Sequence, residues 1–307
     1  MQFRFAAPCD YRKPDHRTPY EIYWCGPCDF GHVWERPAPQ DVAKFYELDN
    51  YYTHHLATTA QKKEALSLAD RIRIHIAWRL DKGVELDTME VRKFLPDSHP
   101  KICEIGCGNG SNLLKFRNAG CDVIGVEPDH AAREAARKII EPVYEGTAEN
   151  LPSEVRNLKF DIVLMSHVLE HCIDINVAMS SVASILKENG VFIVEVPNCN
   201  ALGFELYEAA WPWTDIPRHL NFFTPHSLER IFNKYKFHVE ITDYRGFCRQ
   251  FSNSWLQTES DIWQAFNPIE RRLPDFKRRS MRFLLKSLFI GKERKYDSIR
   301  MLAKRRC

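Results

Sequence analysis

The chain has 307 residues, 44% hydrophobic and 27% charged, an ordinary composition for a globular protein. No run approaches the roughly 18 apolar residues of a membrane span, and the opening MQFRFAAPCDYRKPDHR lacks the apolar stretch of a secretory signal, so a cytoplasmic location is expected. The formal net charge of +2 is uneven: residues 271–307 hold fourteen Lys and Arg against three acids, leaving the rest acidic.

In chain order, residues 1–38 are rich in Pro, Cys, Tyr and Trp, show no helical period, and read as a small irregular or β-rich module. Cys25-Gly-Pro-Cys28 is a CxxC knuckle, with Cys9 upstream and His16 and His32 nearby. Thiolate and imidazole ligands in this number suit structural zinc with His16 or His32 as the fourth ligand, and Cys9, His16, Cys25 and Cys28 are the expected set. The alternative is a metal-free module packed on Tyr20, Tyr23, Trp24, Phe30 and Trp34. Residues 39–95 read as a helical linker or lid. It contains a short helix at 40–52 and a longer one at 58–82, with Leu66, Ala69, Ile72, Ile76 and Leu80 on one face.

From residue 96 strand and helix patterns alternate. Strands are expected at 101–107, 121–128, 142–146, 160–166, 191–197, 237–244 and 296–303, with helices at 111–119, 131–140, 176–187 and 225–235. The succession predicts an α/β fold: a Rossmann-like, doubly wound, mostly parallel seven-stranded sheet over 96–307. Two insertions interrupt it. One, 199–224, is aromatic (Phe204, Tyr207, Trp211, Trp213, Phe222, Phe223) and stands where an acceptor lid would lie, although ordinary core packing explains it equally well. The other, 250–292, contains the basic amphipathic stretch FKRRSMRFLLKSLFI. That stretch suits either a solvated surface helix or contact with an anionic membrane or nucleic acid.

The segment Glu104-Ile-Gly106-Cys-Gly108-Asn-Gly110 leaves the first of these strands and opens a helix. Glycines there permit a tight turn and close ligand approach, and the helix N-terminus offers unpaired N–H groups. Glu127 follows Gly106 by twenty-one residues, at the end of the next strand, where a carboxylate accepts ribose hydroxyls. Ser111 stands where a dinucleotide fingerprint has its third glycine, which argues against a nicotinamide or flavin dinucleotide. His167, Glu170 and His171 follow the fourth strand, and His219 lies on a later loop. The four are compatible with a divalent metal. Alternatively, His167 or His219 acts as a general base, or His171 only bonds within the fold.

The phrases EIGCGNG, GVEPD (125–129), AENLP (148–152), FDIVLMSHVLEH (160–171), LKENGVFIVEVPN (186–198) and RHLNFFT (218–224) resemble class I S-adenosylmethionine-dependent methyltransferases. The resemblance is to the group that includes ubiquinone-biosynthesis O-methyltransferases and enzymes of surface-glycan and natural-product pathways. It implies S-adenosylmethionine as cofactor, lined by Gly106, Gly108 and Gly110. Glu104 would meet its amino group, Glu127 and Pro128 its ribose, Ala148 and Glu149 its adenine, and Ser166 and His167 its sulfonium. Many members start with a zinc module of two CxxC pairs. Related O- and RNA 2′-O-methyltransferases hold a metal through an ExxEH segment and a later His, where this chain has His167, Glu170, His171 and His219. The expected acceptor is therefore a small molecule, such as a sugar, sugar nucleotide, surface glycan or natural-product intermediate, methylated on oxygen. RNA is the competing acceptor.

Overall fold

The computed structural model describes residues 1–46, 66–83, 85–86, 91 and 99–305. Eleven strands form two sheets among them. The larger has seven strands in the order β10-β11-β8-β7-β4-β5-β6. These are β4 (Lys101–Ile105), β5 (Asp122–Val126), β6 (Val143–Tyr144), β7 (Phe160–Ser166), β8 (Leu186–Pro197), β10 (Phe237–Arg245) and β11 (Ser298–Arg305). Strands β6, β5, β4, β7 and β8 run parallel, and β11 lies antiparallel to both β8 and β10. This is the expected doubly wound sheet. Its inner strands are largely apolar because helices cover both faces, with Glu104, Asp161 and Glu195 as buried charged exceptions. Along β7, Ile162 and Leu164 enter the core that holds Leu113, Phe116 and Ala136. Val163 and Met165 enter the opposite core with Met179, Val182 and Phe232.

The helices begin where capping chemistry allows. Asp174 accepts N–H bonds at the start of Ile175–Ile185, and Thr224 and Ser227 cap Pro225–Lys234 reciprocally. Strand β8 begins at Leu186, so the expected helix at 176–187 ends two residues sooner.

The linker helix runs Leu68–Leu80, capped by Ser67, and the earlier part of the expected 58–82 helix lies outside the described residues. It buries a different face from the expected apolar one. Asp70, Arg73 and Ala77 are buried, whereas Ile72 and Ile76 are exposed. The cause is the surface opposite. Arg73 donates to the Phe251 carbonyl (3.1 Å), to Asn253 Oδ1 (2.7 Å) and to Asp70 (2.8 Å), so a charged residue is satisfied where periodicity would place a hydrophobe.

The smaller sheet comprises β1 (Gln2–Ala7), β2 (Tyr20–Cys25) and β3 (Phe30–Trp34), joined by β9 (Asn221–Phe223) from the second half of the chain. This topology corrects the zinc assignment. In the β1–β2 register Ala7 pairs with Tyr20 and Gln2 with Trp24. Cys9 and His16 therefore lie at one end of the hairpin, and Cys25 and Cys28 at the other, a strand length of roughly 17 Å away. Cys9 is buried and its thiol approaches the Ala265 carbonyl at 3.6 Å. Among the described residues Cys9, His16, Cys25 and Cys28 form no metal-competent group. Aromatic packing holds the module instead: Phe204 stacks on Phe222 and packs at a tilt against Trp24, with Arg4 over Trp24 and Phe204.

A buried ion network ties the start of this module to the segment that leads into β9. The Arg218 side chain is fully buried, donating to both oxygens of Asp10 (2.7 and 2.9 Å) and to Asp215 (2.9 Å), while Arg12 also reaches Asp215 (3.1 Å). Removing one partner of such a network strands the other charges. Arg218→Ala should cost about 3–5 kcal/mol of stability, seen as a lower denaturant midpoint, and an unchanged midpoint would show the network to be dispensable.

Glu259, on helix Asn253–Phe266, gives a second stability prediction. Burial pushes its carboxyl up to about 7, against a bond from the Trp255 indole (3.2 Å) and the charge of Arg279. The folded state thus favours the protonated form. Its contribution is complete below about pH 4.5 and is lost as pH rises through about 7. Glu259→Gln should raise the melting temperature relative to the parent at pH 8 and flatten the pH dependence over that window. Parallel melting curves for the two proteins would contradict this.

Candidate active site

The chain leaves β4, builds outward through β5 and β6, then returns to β7 on the other side of β4. Ligands in open α/β sheets bind beyond the carboxyl ends of the strands at this reversal. The turn after β4 is built for close approach. Gly106, Gly108 and Gly110 have φ of +70°, +53° and +77°, and Gly110 caps helix Ser111–Asn118. At Gly106 a Cβ would meet the Val168 side chain at 2.4 Å, whereas at Gly108 it would meet nothing within 4 Å. The turn is therefore packed below and open above.

Two carboxylates flank it. Glu127 is buried and accepts from the Gly108 N–H (2.8 Å) and the Asp129 N–H (2.9 Å), so β5's end is bonded to β4's turn. Burial pushes its carboxyl up, and the two backbone bonds oppose that. Glu104 is completely buried. One of its oxygens accepts from Asn112 (2.9 Å) and the other has no partner, with burial raising the carboxyl to about 8. An orphaned carboxyl oxygen beside an open turn fits a ligand carrying an ammonium group. Ala148 is buried beyond β6, and Glu149 accepts from the Asp174 N–H (2.7 Å). Pro128 is exposed, and Ser166 closes β7 half-buried.

Val168, which covers Gly106, leads into the second half of the site. His167 is not helical: its φ is +56°, and only Leu169–His171 forms a single 3₁₀ turn. His167 therefore does not share a face with His171. Its Nδ1 lies 3.2 Å from Glu170 Oε1, its Nε2 lies 3.2 Å from Glu195 Oε1, and its ring stacks on Trp213 at 4.8 Å. Burial disfavours its charge, but the bonds to Glu170 and Glu195 outweigh that and lift it to about 9. Both ring nitrogens are thus engaged with carboxylates, which removes His167 from the expected ligand set. Glu195 also takes Arg300 (2.6 Å) and Arg245 (3.3 Å), and stays well below the usual carboxylate range despite its burial.

The other three residues do converge. Glu170, His171 and His219 each present one ligand atom, all within 4.8 Å of one another, and they are the one such group among the described residues. His171 Nδ1 lies 2.9 Å from the Arg218 carbonyl and 2.9 Å from the Tyr46 hydroxyl, and His219 Nδ1 lies 2.8 Å from the Trp213 carbonyl. A carbonyl only accepts, so both rings carry their proton on Nδ1 and expose a lone pair at Nε2. Burial and the nearby His171 push His219 down to about 4, keeping it neutral. Glu170 is fully buried, yet the hydrogen bond from His167 holds its carboxyl below the usual range, and its Oε2 has no partner. One carboxylate oxygen and two imidazole Nε2 atoms fit a divalent cation, with zinc's His₂Glu preference closest.

Periodicity did not flag Glu195 or Tyr46, whereas Trp213 stood among the aromatics of the 199–224 insertion and Arg218 opened the RHLNFFT phrase. Glu195 carried a signal as the one charged residue within the apolar run VFIVEVP.

A Rossmann-like sheet whose Gly-rich turn faces a ribose-type carboxylate defines an enzyme that binds a nucleoside cofactor. A family described as "Methyltransferase domain" matches residues 84–241. The chain belongs to that family and is an S-adenosylmethionine-dependent methyltransferase. A ubiquinone biosynthesis O-methyltransferase of Rhodopseudomonas palustris is 30% identical over 179 residues, 53% of this chain and 68% of that one. Another from Bradyrhizobium diazoefficiens is 28% identical over 176 residues, with the same shares. A SAM dependent methyltransferase of Archaeoglobus fulgidus superimposes with a TM-score of 0.49 at 18% identity, covering 76% of this chain and 94% of that one.

Proposed function

We propose that this methyltransferase acts on an oxygen of a small-molecule acceptor. The observation that carries the reading is the Glu170–His171–His219 cluster, positioned across Val168 from the glycine turn. In the cofactor pocket, the open turn at Gly108 would face the nucleoside, the free oxygen of Glu104 the amino group, and Glu127 the ribose hydroxyls. Ala148 and Glu149 would flank the adenine, and Ser166 would border the methyl donor. S-adenosylmethionine supplies an activated methyl group on a good leaving group. The protein's tasks are then to align the acceptor oxygen with that methyl and to remove the hydroxyl proton.

The cluster suits the second task. Glu170, His171 and His219 would hold a divalent cation, which lowers the pKa of a bound hydroxyl. Without one, neutral His219 would itself accept the proton through Nε2. Trp213, stacked on His167 and overlain by the Arg249 guanidinium, walls the same region. The two ubiquinone-pathway relatives support an O-directed reaction on a small molecule.

The test is methyl transfer from isotopically labelled S-adenosylmethionine to a panel of catechols, sugars and sugar nucleotides, with product mass and linkage determined. Label recovered on oxygen supports the reading, and label found only on nitrogen or carbon refutes it. RNA is the competing acceptor, on account of the basic segment 276–292. Methylated RNA, with binding that falls steeply with salt, would replace the small-molecule assignment.

A further inference from the structure

Helix Phe276–Ser287 is 12 residues long and packs inward through Ser280, Phe283, Leu284 and Ser287. Phe283 contacts Tyr207 and Phe251, and Arg279 lies over Tyr207 at 4.8 Å. Lys277 is taken by Asp70. The opposite face has no such use. Arg278, Arg282, Leu285 and Phe289 recur at four-, three- and four-residue steps and so form one stripe, with Lys286 and Leu288 beside it. Phe289 is 90% exposed, Leu285 54% and Leu288 44%. Arg278, Arg282 and Lys286 make no ion pair with any described residue. Residues 276–292 contain six basic residues and no acid.

We propose that this face docks on a lipid bilayer bearing anionic headgroups. Leu285, Leu288 and Phe289 would enter the boundary between headgroups and acyl chains, and Arg278, Arg282 and Lys286 would meet the phosphates. Two features select a bilayer over the other polyanion, nucleic acid. The apolar residues gather at and just past the helix's C-terminal end while Arg278 and Arg282 precede them, the arrangement of a wedge with a basic collar. A nucleic acid could stack a base on Phe289 but gains nothing from two exposed leucines, whereas a bilayer takes all three. No helix among the described residues is long and apolar enough to cross a membrane, so the contact is peripheral. The proposal does not depend on the acceptor assigned above.

Vesicle flotation of the full chain tests it, using phosphatidylcholine with or without phosphatidylglycerol. The protein should float with the anionic vesicles and at least about tenfold less with pure phosphatidylcholine. Arg278→Gln and Arg282→Gln should each weaken binding about fivefold, and Phe289→Ser about tenfold. All three positions are exposed or point away from the core, so melting temperature and S-adenosylmethionine affinity should match the parent and exclude a folding defect. No flotation of the parent with phosphatidylglycerol vesicles would overturn the proposal, as would flotation indifferent to Phe289→Ser. Tight binding of a short RNA oligonucleotide that requires Arg278 and Arg282, without vesicle binding, would reassign the face to nucleic acid.

Discussion

Glu127→Ala should weaken S-adenosylmethionine binding by about a hundredfold or more, measured by calorimetric titration. A hydrogen bond to a charged acceptor contributes about 1.5–3 kcal/mol, and a ribose offers two hydroxyls to this carboxylate. The same oxygens also hold the Gly108 and Asp129 amides at 2.8 and 2.9 Å, so the substitution releases the turn as well. Glu127→Gln separates the two effects. Its amide oxygen can still accept one of these bonds, so the turn keeps part of its support while the charge is lost, and an intermediate affinity is expected. Equal affinity in all three proteins, with unchanged melting temperatures, would mean that the ribose lies elsewhere.

Glu170→Gln and His219→Ala should each lower the rate of methyl transfer by about 10²–10⁴, the range of a lost proton-transfer group, with little change in S-adenosylmethionine affinity. The expectation follows from position: both residues belong to the converging cluster, and neither is among the residues assigned to the cofactor. Chelation distinguishes the two chemistries the cluster permits. If a cation is held there, prolonged treatment with EDTA abolishes turnover and added zinc or another divalent ion restores it. If His219 acts alone, EDTA leaves turnover intact while His219→Ala still removes it. Full activity in both variants would assign the cluster a purely structural role. His167 should behave differently. It holds its two carboxylate partners, Glu170 and Glu195, in place, so His167→Gln should lower stability as well as rate.

These expectations rest on two kinds of information that the chain carries unequally. The sheet was legible from the sequence because each parallel strand is a local apolar run flanked by turn chemistry. Gly106, Gly108, Gly110 and Glu127 were legible because a strand–turn–helix unit and its next strand lie close together in sequence. A carboxylate at the end of β5 has little choice but to face the turn after β4, since the two strands pair in register from Lys101 with Asp122 to Ile105 with Val126.

Partnerships across long sequence separations were not legible. Composition could nominate Cys9, His16, Cys25 and Cys28 as ligands, but only the register of β1 on β2 decides that they occupy opposite ends of a hairpin. His167 sat in the same short motif as Glu170 and His171. Its left-handed backbone, and a glutamate 28 residues away on β8, turn it from a ligand into the bridge between two carboxylates. His219 reaches the cluster because Arg218, its neighbour, is anchored to Asp10 more than 200 residues earlier. A local pattern records which side chains are chemically able to act. Which of them meet is settled by strand register and buried charge pairing, and these are properties of the whole folded chain.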